Sequence, residues 1–163
     1  MIDPVDVIVE ADGWDTTDID GLAMAACGAV YQHLGLQGFG CTVLACDDAR
    51  IAALNADFRG KPQPTNVLSW PSQERAAAVD GTAPQAPDPT DPELGDIAIA
   101  LETTQSEAVA AGKTMADHTT HLIVHGLLHL LGYDHERDAD ATLMEGLETQ
   151  ILGNMGIADP YRV

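Results

Sequence analysis

The sequence predicts an α+β fold, a single-layer mixed β-sheet of about four strands covered by helices. Three observations carry that reading: short β-branched segments, longer stretches with apolar residues every three to four positions, and cap residues at the ends of those stretches. Strands are followed mainly by helices, which argues against a regular β-α-β alternation. At 163 residues the chain suits one domain, 1–163.

Val5, Val7 and Val9 alternate in a β-branched run that reads as the first strand. Thr17 with Asp20 gives a capping signal, and Leu22, Ala26, Val30 and Leu34 mark a helix behind it. CTVLAC, residues 41–46, reads as strand two. Asp47 or Asp48 can cap the next helix, whose Ile51, Leu54 and Phe58 share a face before Gly60 ends it. Strand three is expected over 66–70 and strand four over 96–101. The stretch between them, 72–93, is rich in Pro, Ala and Asp, offers little to bury, and reads as a flexible insertion. Thr104 with Glu107 resembles a second capping box, and Gly112 closes that helix. Another helix is expected over 114–131, and a last one carries Leu143, Leu147 and Ile151.

With 26 acidic and 7 basic side chains the formal charge is −19, which argues against broad electrostatic binding to nucleic acid. Arg50, Arg59 and Lys61 nevertheless fall within twelve positions, so one local site could receive a phosphate. Cys27, Cys41 and Cys46 lack C-x-x-C spacing and read as reduced core thiols. The longest apolar run is broken by His125 and His129 and falls short of the ~20 residues of a membrane span. The amino end carries acids where a secretory signal carries basic residues, so a cytoplasmic protein is expected.

Five of the six histidines lie in the eighteen residues HTTHLIVHGLLHLLGYDH. Positions four apart on a helix sit one above the other, so His125 and His129 can aim two imidazoles at one point. His121 is also four residues from His125, but it would stand roughly 12 Å along the axis from His129. A third ligand must therefore come from chain that has left the helix. Gly132 can take positive φ there and let His135 fold back beside the pair. Three neutral imidazoles leave one coordination position for water, the pattern of a catalytic zinc, one ion per chain. His118 and His121 read first as satisfied helix histidines, though either could contact substrate or hydrogen-bond a ligand from behind.

The spacing equals that of H-E-x-x-H-x-x-G-x-x-H metalloproteases, but Gly126 stands where their general-base Glu would be. That glycine could also leave room beside the ion for a bulky group such as a nucleotide. Without that carboxylate a zinc metallopeptidase-like hydrolase stays an alternative and not the leading reading.

HGLLHLLGYDH, residues 125–135, closely resembles the signature of the YbeY family of endoribonucleases. LNADFRGKPQPTNVLSWP at 54–71, Gly95-Asp96-Ile97, and Gly156 with Asp159-Pro160-Tyr161 are similar to it as well. The chain departs from the family pattern in Trp70, where Phe is more usual, in Thr119 and Thr120, and in the long 72–93 insertion. The resemblance implies an α+β fold, zinc on His125, His129 and His135, and a functional Arg59 in the same cleft. It implies a single-strand-specific endoribonuclease acting in 16S rRNA 3′-end maturation and ribosome quality control. The partners it implies are ribosomal RNA, the small ribosomal subunit with its proteins, and a ribosome-associated GTPase; the alternatives are the metallopeptidase-like hydrolase and a non-catalytic ribosome-assembly factor with a structural zinc.

Arg59 offers a planar fork for two phosphate oxygens as charge develops on them. Lys61, Asn66, Ser69 and His121 are further candidates to touch substrate. Asp134 could accept a histidine's second N–H or merely shape its turn. Asp96 is expected to support the sheet near the site.

Overall fold

The computed structural model describes residues 2–161. In chain order they form β1 (Val5–Val9), a 3-10 turn (Asp12–Thr16), α1 (Ile19–Leu34), β2 (Gly40–Cys46), α2 (Asp48–Arg59), β3 (Val67–Pro71), β4 (Glu93–Ala100), α3 (Leu101–Ala111), α4 (Met115–Leu130) and α5 (Asp138–Asn154). The sheet order is β1-β2-β4-β3, with β1, β2 and β4 parallel and β3 antiparallel to β4. The expected α+β class and four-stranded mixed sheet are what the chain adopts. The first half does alternate more than the sequence reading allowed, because β1, α1 and β2 make one β-α-β unit.

Side-chain alternation gives the sheet two unequal faces. Val43, Ala45, Ile97 and Ile99 lie in the main core with Leu122, Ile123, Leu127 and Ile151 from α4 and α5. The opposite face carries Cys46, Leu68, Ala98 and Ala100 in a small cluster beneath Ile51 of α2. α4 is therefore the buried central helix, and its register fixes everything its histidines can reach. None of the described helices is long and apolar enough to cross a membrane.

Two predicted caps belong elsewhere. Asp18, and not Thr17, caps α1, its carboxylate accepting from Gly21 N–H, while the Thr17 hydroxyl donates to Trp14 O in the preceding 3-10 turn. The Thr104/Glu107 pair caps nothing, since α3 starts at Leu101 directly from the end of β4. Asp48 of α2 reaches across instead and accepts from the Thr103 N–H and hydroxyl at 3.0 and 2.7 Å. A cap drawn from 55 residues away leaves no local spacing to read. β4 likewise starts at Glu93, earlier than expected, and Leu101 already belongs to α3.

Residues 72–92 form no regular element, yet they are tied to the helices around the histidine turn. The Arg75 guanidinium donates to Leu130 O at the end of α4 at 2.8 Å. Gly81 N–H donates to the Asp140 carboxylate at 2.8 Å, and Asp140 N–H donates to Asp80 at 2.8 Å.

Candidate metal centre

Thr114 opens α4 by accepting from Asp117 N–H, and the four-residue spacing then stacks His125 above His129 on one face. Their Nε2 atoms lie 3.1 Å apart. A tetrahedral ion with bonds of about 2.0–2.1 Å would set its nitrogen ligands about 3.3 Å apart, so the pair fits one ion. The helix closes as Gly132 N–H donates to His129 O and Tyr133 N–H donates to Leu128 O, both at 3.0 Å, with Gly132 at φ +104. A side chain at Gly132 would also collide with Arg75 O, its Cβ only 2.6 Å away, so both conformation and space demand glycine. The bend returns His135 to the pair, with ring centroids 5.3 Å from His125 and 5.0 Å from His129.

Ligand atoms of all three histidines lie within 4.8 Å of one another. Among the described residues no fourth His, Cys, Asp or Glu joins this group. Burial, with the coulombic effect of His125 and His135, pushes His129 down to about 4, so at neutral pH it is an uncharged imidazole with one ring nitrogen able to bind a cation. The donor set suits a borderline-soft divalent ion.

The residue that sequence reasoning missed is Glu148, on α5 and fully buried. Its carboxylate lies 3.0 Å from His125 Nδ1, 2.7 Å from His121 Nε2 and 2.7 Å from the Tyr161 hydroxyl. Burial pushes its pKa up, but the hydrogen bonds from His121, His125 and Tyr161 together outweigh that and hold it down at about 2. Glu148 sits one turn beyond Met144 on the buried face of α5, one position round from the expected Leu143-Leu147-Ile151 stripe, of which only Ile151 is buried. The apolar spacing therefore gave no signal for it.

The other candidates divide. Arg59 ends α2 at the Gly60 cap and lines a groove of about 660 Å³ together with His125, His129 and His135. Asn66, Ser69 and Asp134 line it too, as do Phe58 and Trp70, whose rings meet edge to face at 5.4 Å. Asn66 is already engaged, donating to Glu107 at 3.0 Å and accepting from Val67 N–H. His121 serves Glu148 and is not among the groove-lining residues. His118 hydrogen-bonds Glu107, away from the three ligands. Lys61 is exposed beyond Gly60 and outside the groove lining.

Asp134 accepts from His135 N–H at 2.7 Å, and its carboxylate stays 4.0 Å from His129 Nδ1, so it shapes the turn more than it orients a ligand. Asp96 is a correction: it is exposed and pairs with Thr42 and Trp70 on the sheet face turned away from α4. At Gly126 a Cβ would lie 3.0 Å from Ile97 Cγ2, so the missing side chain lets α4 press on the sheet, and Gly126 itself lines the groove beside His125 and His129.

An α+β domain with three convergent histidines at the floor of an open groove is the frame of a metal-assisted hydrolase. The family model described as endoribonuclease YbeY matches residues 9–156, and the chain belongs to that family. An endoribonuclease YbeY of Ruegeria pomeroyi is 59% identical, the match covering 96% of this chain and 97% of that one. One from a Jannaschia species is 55% identical over 96% of this chain and 99% of its own length. The solution structure of a Thermotoga maritima protein shares the fold, with a TM-score of 0.56 at 21% identity over 98% of this chain and 99% of that one. The chain's activity is accordingly that of a nuclease, a hydrolase of RNA.

Proposed function

We propose that this single domain is a zinc-dependent, single-strand-specific endoribonuclease of the cytoplasm. Its task is 3′-end maturation of 16S rRNA and quality control of the small ribosomal subunit. The observation that carries the reading is that Arg59 and the three histidines, drawn from separate elements, line one groove. His125, His129 and His135 hold the ion, which when bound supplies Lewis acidity and lowers the pKa of a water. The Arg59 guanidinium donates to two phosphate oxygens and stabilises the charge that grows on them in the transition state. Ser69, on the α4 side of β3, and the free N–H of Asn66 hydrogen-bond the substrate strand.

Glu74, Asp134 and Glu136 also line the groove, so little of its affinity comes from charge. A chain of net charge −19 instead finds its substrate by docking on a basic ribosomal protein, with a ribosome-associated GTPase as a further partner. The 72–93 segment adds Glu74 and Ala76 to the groove wall. The metallopeptidase reading loses its general base, because Gly126 packs on Ile97 and the Glu148 carboxylate is enclosed by three donors.

The test is incubation of metal-analysed protein with small-subunit precursor RNA beside an identically prepared Arg59→Ala variant. Wild type is expected to cut and the variant to be nearly inactive at equal zinc content. Equal cutting by both would overturn the proposal.

A further inference from the structure

Glu148 is a fully buried carboxylate on α5, and among the described residues neither Lys nor Arg pairs with it. Burying an ionised carboxylate costs several kcal/mol unless hydrogen bonds and an opposite charge compensate it. The hydrogen bonds are present: His121 and Tyr161 address Oε2, and His125 addresses Oε1. An ionised carboxylate only accepts, so each of these groups must donate. That requirement fixes two tautomers. His125 carries its proton on Nδ1, which leaves the Nε2 lone pair facing His129 Nε2 at 3.1 Å. His121 carries its proton on Nε2, and its bare Nδ1 is buried without a partner among the described residues. A cation held by the three histidines would add an opposite charge one imidazole away.

We propose that Glu148 is the positioning residue of the metal centre, holding His125 in the tautomer that presents Nε2 to the ion, with Tyr161 securing Glu148 from the C-terminal segment. The assignment rests on reading His125, His129 and His135 as ligands. Tyr161 is set in place by a local turn. Asp159 accepts from the Thr149 hydroxyl of α5 at 3.2 Å and from Tyr161 N–H at 2.9 Å. The Tyr161 ring then meets His121 edge to face, centroids 5.8 Å apart. The segment after α5 thereby becomes part of the metal site, 26 positions beyond the last ligand in the sequence. Carboxylates that hydrogen-bond a metal-bound histidine fix its ring and raise its basicity, and losing one weakens metal affinity roughly 10–100-fold.

The test compares full-length wild type with Glu148→Gln and Tyr161→Phe. Glu148→Gln keeps the shape and removes the charge; Tyr161→Phe keeps the ring and removes one donor, so folding should survive at least the second. Zinc affinity is measured by chelator competition at fixed pH, the ligand field by the absorption of the cobalt-loaded protein, and folding by circular dichroism. Zinc binding is expected to weaken roughly 10–100-fold in Glu148→Gln and by a smaller factor in Tyr161→Phe, with altered cobalt bands in both. Nitrogen chemical shifts of metal-free wild type should place the His125 proton on Nδ1. Folded variants that bind zinc as tightly as wild type, or a His125 proton on Nε2, would overturn this assignment alone. A wild type that takes up no zinc would overturn the metal-centre reading and this assignment with it.

Discussion

The histidine cluster has two walls, and they differ in almost every physical respect. Behind His125 the wall is closed at its centre: Glu148 is fully buried and its oxygens take three donors from α4 and the C-terminal segment, of which only Tyr161 is exposed. In front of it the wall is open: Arg59 and Phe58 are exposed, His135 is exposed, and the groove between them runs along the edge strand β3. A closed polar network holds its members in one geometry, because an unmade hydrogen bond there goes unreplaced by water. An open wall cannot hold geometry that way but admits a polymer. Ligand placement is thus assigned to the interior and substrate contact to the surface, and the two can be perturbed separately.

The largest effect belongs to the open wall. Arg59→Ala should lower the cleavage rate roughly 10²–10³-fold, the usual loss for one donor to a transition-state charge, while zinc affinity stays at the wild-type value. Single-turnover cleavage and metal titration on the same preparation separate the two readouts. A variant that loses metal and rate together would mean that the walls are not independent.

Acid separates the walls as well. His129, facing the groove, titrates near 4 in the folded chain against 6.5 for an ordinary histidine. Between those values the unfolded state binds a proton that the native state refuses, so metal-free protein loses stability as pH falls from about 6.5 to about 4. Glu148 is held at about 2 against 4.5, so its contribution is complete above 4.5 and is lost lower, as pH falls toward 2. Each window is worth up to roughly 3 kcal/mol. Urea titrations of the metal-free protein across this range should show two declines, and Glu148→Gln should shrink the lower one, to which Asp88 and Asp140, also held below the ordinary carboxylate range, contribute. One merged decline would mean that the two groups titrate together.

How much of this was legible in the sequence follows the same division. The convergence of three histidines could be read because two lie on one helix at spacing four and the third follows a glycine that the bend requires. Arg59 was found through the family pattern, and its arrival in the groove depends on α2 ending where Gly60 caps it. Glu148 escaped because its partners come from a different helix and from the chain end, and an acid on an amphipathic helix looks like solvated surface until the tertiary fold buries it. The Thr104 cap failed for the same reason, since Asp48 supplies it across space. Local chemistry left marks in the sequence, and chemistry assembled between elements did not.

Gly126 sits where the ligand helix meets the sheet, between the walls. Gly126→Ala gains up to about 1 kcal/mol of helix propensity but forces a methyl to within 3.0 Å of the fully buried Ile97. Overpacking of that kind typically costs about 1–3 kcal/mol, so a net loss near 1 kcal/mol is expected in thermal or urea unfolding. A gain in stability would show that α4 can lift from β4.

The smallest effect is expected at Asp96, and it tests the division most directly because sequence alone put this residue beside the site. It projects on the α2 side of the sheet, paired with Thr42 and Trp70, whereas every proposed metal ligand sits on α4 or the bend beyond it. A carboxylate on the far face of a sheet is screened by solvent and by the strand itself from an ion on the near face. Asp96→Asn should leave stability within about 0.5 kcal/mol and change zinc affinity no more than about twofold. A tenfold loss of zinc in Asp96→Asn would require the charge to act through β4, and the sheet would then no longer divide the molecule into a metal side and a bystander side.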